Sequence, residues 1–166
     1  MSLFLGKRRV DLYFLGRAHT AGDIVIHVPD SNVLFSGDIV EYKSACYCGD
    51  AHLQEWPQTL GKIAKFQAVS LVPGRGDALT DSKKIEDALA LTEDFVTSTF
   101  KSVSKIAHAG GDLKEAVLSF RNDCDKKFSS YAIYEHCLPF NVSRAFDEAK
   151  GIDNPRIWTA ERDKEM

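Results

Sequence analysis

The sequence predicts an α/β fold in which a mixed sheet of about five strands is followed by a helical extension. Short apolar runs bounded by turn residues recur in the first 80 residues, as is typical of strands. From residue 81 onward, apolar residues recur at helical spacing instead. We therefore expect two segments, 1–80 with the sheet and 81–166 with the helical extension, packed together as a single structural unit.

Two hairpins account for four of the predicted strands. The first spans residues 3–15. The second joins residues 23–28 to residues 33–36 through Pro-Asp-Ser-Asn, four residues that favour turns. Apolar side chains occur on both sides of Ile24–Val28, which predicts a strand that is buried on both faces. His27 on this strand is then a partly buried structural histidine.

Amphipathic patterns predict the helices that follow. The apolar stripe of the first consists of Trp56, Leu60, Ile63 and Ala64. A short strand at residues 69–72 comes next, and a long helix is expected from Asp81 to Ala109. A capping box at Asp112 opens another helix. A last helix is expected from Tyr131 to about Lys150, with an interruption near Pro139.

The segment with the most informative chemistry lies around the second hairpin. It reads Gly-Arg-Ala-His-Thr at residues 16–20, Gly-Asp at residues 22–23 and Ser-Gly-Asp at residues 36–38. We expect His19 and Asp38 at the tips of adjacent strands, where their side chains point to a common place. A neutral imidazole and a carboxylate are suitable ligands for a divalent metal such as zinc. On residue types alone, a lone loop histidine and an ordinary turn aspartate remain the alternative.

In order and spacing, these motifs resemble the C-terminal half of a metallo-β-lactamase-fold hydrolase. The resemblance covers Gly16–Val40, Trp56 and the Pro-Gly-Arg-Gly of residues 73–76, roughly the first half of the chain. It implies half of an αββα sandwich and a metal-dependent hydrolase that acts on a small ester, lactone, thioester or amide through metal-activated water. The parent enzyme would hold one or two ions of zinc or another divalent metal.

The resemblance also implies roles for single residues. By position, His19 resembles the third histidine of the family's first metal site, Asp38 the carboxylate that bridges two metals, and Asp23 an aspartate that orients the histidine loop. The family's upstream H-x-H-x-D-H motif occurs nowhere in this sequence. Because zinc normally takes three protein ligands, we expect the chain by itself to be inactive.

Arg75 occupies the place of the family's last metal-binding histidine. A guanidinium has five donors, no acceptor and a permanent charge, so it cannot ligate a metal. It could instead take part in catalysis beside Asp38, by holding a substrate carboxylate or by stabilising an oxyanion. The alternative is a salt bridge, for example to Asp38, in a protein that has lost a metal.

The loop at residues 41–53 follows Asp38 directly and has no clear period. If Asp38 lies at the site, this loop covers it. Asp50 and His52 are then candidates for contact with a small-molecule substrate, whereas the alternative is a surface loop with ordinary polar residues.

Bulk properties limit the partners. A net charge of −3 and a pI near 5.9 do not favour nucleic-acid binding, and no apolar run approaches the roughly 20 residues that a bilayer span needs. Four cysteines without a dense disulfide pattern favour reduced thiols and a cytoplasmic location.

Half of a sandwich would leave an unpaired sheet edge and a bare apolar face. We therefore expect a homodimer in which a second copy covers that face. The alternative function is a metal-free or self-associating binding module that keeps the fold.

Overall fold

A mixed five-stranded sheet is the first layer of the structure, a computed structural model that describes residues 1–165. Its strands are β1 (Ser2–Leu5), β2 (Arg8–Tyr13), β3 (Val25–Val28), β4 (Val33–Glu41) and β5 (Ser70–Arg75). They lie side by side in chain order, antiparallel except for the parallel pair β4 and β5. The predicted sheet and both hairpins are therefore confirmed.

Strand β4 is longer than the sequence indicates. It was expected to end near Ser36, but it continues to Glu41. Gly37 has a φ of +54°, and the register with β5 shifts at this residue. A glycine adopts this left-handed conformation readily, so the strand bends there and continues. The extension brings three further residues after Asp38 into the sheet.

Helix α1 (Trp56–Ala64) packs on β4 and carries Pro57 in its first turn, as expected. The Trp56 indole is buried and donates a hydrogen bond of 2.9 Å to the Ile39 carbonyl. Leu60 and Ile63 are also buried. The inclusion of Ala64 in the buried stripe was wrong, because its side chain is exposed at the last turn of the helix.

Helices α2 (Ser82–His108), α3 (Leu113–Phe128) and α4 (Tyr134–Ala149) pack against one another, and a short α5 (Ala160–Lys164) follows. The Asp81 side chain caps α2, and Asp112 forms the predicted capping box with Glu115. In the described residues, no helix combines the length and apolarity needed to cross a membrane.

The predicted interruption near Pro139 is wrong. Helix α4 runs continuously through Pro139 and begins at Tyr134, three residues later than expected. The proline lies in the second turn, where it removes a single backbone hydrogen bond, and packing on both sides holds the helix together.

The core lies between the sheet and the helices, and its large side chains are fully buried. They include Trp56, Phe95, Phe120, Phe128 and Tyr134. Helix α2 contacts β4, β5 and α1, so the helical region packs directly on the sheet region. The division of the chain near residue 80 stays a prediction.

None of the residues 1–165 covers the face of the sheet opposite the helices. A cross-strand row of Leu12, Ile26, Phe35 and Val72 lies on it. Phe35 is 41% exposed and Ile24 is 46% exposed. The expectation that Ile24–Val28 is buried on both faces is therefore wrong for this chain, because Val25 alone in that strand is buried, on the helical side.

Candidate functional site

His19 lies in the loop between β2 and β3, and Asp23 holds that loop in shape. The Asp23 carboxylate accepts hydrogen bonds of 2.7 Å from both the backbone N–H and the hydroxyl of Thr20. Its Oδ1 also lies 3.9 Å from His19 Nδ1. Because Asp23 bonds the residue next to His19, it limits the positions that the imidazole can take.

The structure brings His19 and Asp38 together, but the expected place of Asp38 at a strand tip is wrong, because β4 continues past it to Glu41. His19 Nε2 lies 3.9 Å from Asp38 Oδ2. The imidazole is mostly buried, with the edge of Trp56 at a ring-centroid distance of 5.9 Å and Tyr47 at 6.2 Å. Nε2 is buried and has no hydrogen-bond partner among residues 1–165. A buried ring nitrogen that faces a carboxylate without bonding to it is free to bind a third group.

Arg75 ends strand β5 and lies on the other side of Asp38. Its Nη1 is 3.6 Å from Asp38 Oδ1 and 2.5 Å from Glu41 Oε1. The two oxygens of Asp38 thus face different groups, Oδ2 towards His19 and Oδ1 towards Arg75. The salt bridge that the sequence left as one alternative for Arg75 is present, and it involves two carboxylates.

Two glycines allow Arg75 to lie this close to β4. A Cβ atom at Gly74 would lie 2.0 Å from Asp38 Oδ1 and 2.7 Å from Asp38 Cα. Gly76 has a φ of +94°, and a Cβ atom there would lie 2.4 Å from the Tyr42 carbonyl oxygen. Any larger residue at either position would push the two strands apart.

Glu41 belongs to the site as well, although the sequence motifs do not indicate it. Its side chain is 1% exposed, and its Oε2 is buried without a partner in the described part of the chain. Burial raises the pKa of Glu41 to about 7, against the opposing effect of the Arg75 charge. The available signal was an acidic residue directly after the aliphatic run Ile39-Val40, where a surface charge is not expected.

Comparison with known proteins shows what this chain is similar to. No protein-family model matches the chain. A type 2 metallo-β-lactamase from Bacteroides fragilis is 35% identical over 106 residues, which are 61% of this chain and 42% of the relative. A solved metallo-β-lactamase from Pontibacter korlensis superposes with a TM-score of 0.51 at 25% identity, covering 58% of this chain and 45% of the other. The chain carries part of a metallo-β-lactamase fold.

A type 2 metallo-β-lactamase from Pseudomonas aeruginosa is 30% identical over 105 residues, covering 60% of this chain and 43% of its own length. The chain thus spans less than half the length of the curated relatives it matches. These matches confirm the resemblance read from the sequence and relate the chain to the metal-dependent hydrolases of the metallo-β-lactamase superfamily.

Asp50 and His52, the two candidates for substrate contact, lie in different surroundings. His52 is buried, its Nδ1 lies 3.9 Å from Asp153, and burial lowers its pKa. Its backbone N–H donates a 2.8 Å hydrogen bond to the carbonyl of Ala18, the residue before His19, and so helps to hold the loop that carries His19. Asp50 is exposed and lines a cavity of about 270 Å³ beside Tyr47. Contact of either residue with a substrate stays a prediction.

The residues of this metallo-β-lactamase-like chain do not fit a complete metal centre. Within residues 1–165, no group of three or more His, Cys, Asp or Glu side chains is arranged to hold a metal ion. His19 and Asp38 are two potential ligands, and zinc normally takes three from the protein even at an open catalytic site. The four cysteines are buried and free, and burial raises the pKa of the Cys46 and Cys48 thiols, which disfavours the thiolate that a metal needs.

Proposed function

We propose that this chain is part of a metallo-β-lactamase-like, metal-dependent hydrolase that acts on a small ester, lactone, thioester or amide, and that the chain alone is inactive. The observation that carries the proposal is the His19–Asp38 pair. An unpartnered, buried imidazole nitrogen lies 3.9 Å from a carboxylate oxygen of strand β4, in a sheet that resembles the metallo-β-lactamase fold.

The chain's own residues have distinct parts in this proposal. His19 offers Nε2 and Asp38 offers Oδ2 to a shared position, while Asp23 holds the histidine loop. In enzymes of this class, the metal ion supplies a water molecule with a pKa of about 7. The further ligands would have to come from outside the residues seen here. Catalytic roles for Asp38 and Arg75 stay predictions.

Metal content per chain tests this proposal. Plasma mass spectrometry on freshly purified protein, without chelator, should find well below one equivalent of zinc, iron or manganese, and ester and lactone substrates should not be hydrolysed. A parent protein that contains the upstream H-x-H-x-D-H motif should hold metal and should lose activity with His19→Ala. An active, metal-loaded chain of these 166 residues alone would contradict the inactivity, and an inactive, metal-free parent would contradict the hydrolase.

A specific observation favours a second function, a self-associating module. The uncovered sheet face carries Leu12, Ile26, Phe35 and Val72 in one row, and exposed Leu3 and Phe14 extend the apolar surface. A second copy of the same chain would cover this face sheet to sheet. Five strands about 4.8 Å apart give a flat area of roughly 400 Å². A standard interface buries about 800 Å² on each partner, so this homodimer would be weak.

Light scattering across a concentration series tests the dimer. The wild-type mass should rise towards that of a dimer, and Phe35→Lys should keep it at the monomer value. Leu118→Lys is the matched control, since Leu118 is 63% exposed on α3 in the helical layer. A wild-type monomer at every concentration would rule out the second copy and would leave another part of a longer chain as the cover.

The cytoplasmic location remains part of the proposal, supported by the four free cysteines.

A further inference from the structure

Three charged groups beside the proposed metal position form an arrangement that needs no metal. The carboxylates of Asp38 and Glu41 approach the same Arg75 nitrogen, at 3.6 Å and 2.5 Å. Glu41 is almost fully buried, and a buried carboxylate without a nearby positive charge is strongly unfavourable. Arg75 supplies that positive charge from within the chain.

The backbone places Arg75 there independently of its side-chain contacts. In the parallel pairing of β4 and β5, Glu41 and Arg75 are register partners. The Tyr42 N–H donates a 3.1 Å hydrogen bond to the Arg75 carbonyl, just after the ladder ends. These backbone contacts and the close approach of Gly74 and Gly76 to β4 fix the backbone of Arg75 beside both carboxylates.

We propose that Arg75 is a resident cation that takes the place of a metal ion beside Asp38 and Glu41, and thereby excludes divalent metals from that side of Asp38. A metal ion can dissociate from its ligands. The guanidinium cannot leave, because it is covalently part of the chain, and it stays protonated. Two carboxylates that already share a positive charge attract a second cation much less. The exclusion does not depend on whether a metal binds on the His19 side in a complete enzyme.

The proposal has a specific consequence for variants that lack the Arg75 guanidinium. Removal of the guanidinium should make the same place attractive to a cation, because the Asp38 and Glu41 carboxylates that approach Arg75 Nη1 then have no positive charge between them. Arg75→His adds an imidazole ligand, and Arg75→Gln removes the charge without adding a strong ligand. Both substitutions keep the glycines that hold β5 against β4.

Titration with Co²⁺, followed by visible absorption and calorimetry, tests the proposal on the full chain. Wild-type protein should bind no Co²⁺ through Glu41, and Arg75→His should bind one equivalent at least about tenfold more tightly than wild type, the scale on which single groups at a metal site act. Arg8→His is the matched control, because Arg8 also pairs with an aspartate, Asp30, but is 60% exposed. It should bind like wild type.

The outcomes separate this proposal from the proposed hydrolase. Wild-type binding of one Co²⁺ that Glu41→Gln abolishes would overturn the proposal, as would folded Arg75→His that binds no better than Arg8→His. If circular dichroism shows that Arg75→His does not fold, Co²⁺ binding by Arg75→Gln is compared with that by the wild type instead. Binding by Arg75→Gln that is no tighter than that by the wild type would then overturn the proposal. Wild-type binding that His19→Ala removes and Glu41→Gln leaves unchanged would support both a metal on the His19 side and its exclusion from the Arg75 side.

Discussion

The helical layer and the sheet of this chain differ in how much of their apolar surface is buried. In the helical layer, Phe95 and Phe128 meet edge to face at 5.0 Å, and Phe120 stacks on Tyr134 at 5.9 Å. All four side chains are fully buried. The sheet buries Leu34 and Val25 on the helical side but leaves Phe35 and Ile24 exposed on the other. The chain therefore has a densely packed core on one face of its sheet and an exposed apolar surface on the other.

The largest expected effect compares these two regions directly. Phe128→Ala should lower the free energy of unfolding by about 3–5 kcal/mol, because it removes a fully buried ring from a packed cluster. Phe35→Ala should lower it by less than about 1 kcal/mol in the monomer, since its ring is already 41% exposed. Urea unfolding at low protein concentration measures both. Equal losses would mean that the sheet face is covered in solution.

A pH effect of intermediate size comes from Glu41, the buried carboxylate on the sheet side. Its pKa is raised from 4.5 to about 7, so the folded protein binds a proton that the unfolded chain has released in this range. The stabilising contribution is present below about pH 4.5 and is lost as the pH rises through about 7, by about 2–3 kcal/mol. Urea unfolding from pH 5 to 8 should show this decline.

Glu41→Gln should flatten the decline, because the amide does not titrate. Glu93→Gln, on the exposed side of α2, is the control and should keep the wild-type slope. A decline of the same size in Glu41→Gln would assign the pH dependence to other groups and would weaken the contrast between the charged sheet end and the apolar helical core.

The smallest expected effect lies in the helical layer. The Asp112 carboxylate accepts a hydrogen bond of 2.9 Å from the Glu115 N–H, and the Asp112 N–H donates one of 3.0 Å to the Glu115 carboxylate. Asp112→Ala should lower the free energy of unfolding by about 1 kcal/mol, because it leaves the Glu115 N–H in the first turn of α3 without its partner. Thermal unfolding checks the value, and Asp112→Asn, which keeps an acceptor, should recover most of it.

Much of the fold follows from local signals in the sequence. The turn residues 29–32, the Asp81 and Asp112 caps and the stripe from Trp56 to Ile63 each act within a few positions, so their outcome could be predicted without tertiary contacts. Pro139 and Ala64 show where such signals fail. Packing holds α4 together across a proline, and the end of α1 turns a small apolar residue to the solvent.

The site divides in the same way. The meeting of His19 and Asp38 could be predicted from the sequence, because the two residues lie on neighbouring elements joined by a short hairpin. The burial of Glu41 and its bond to Arg75, 34 residues further along the chain, could not be predicted and follow from the fold. The physical reason is that burial and charge pairing depend on which strand becomes the neighbour. The parallel pairing of β4 with β5 decides that neighbour across an intervening helix.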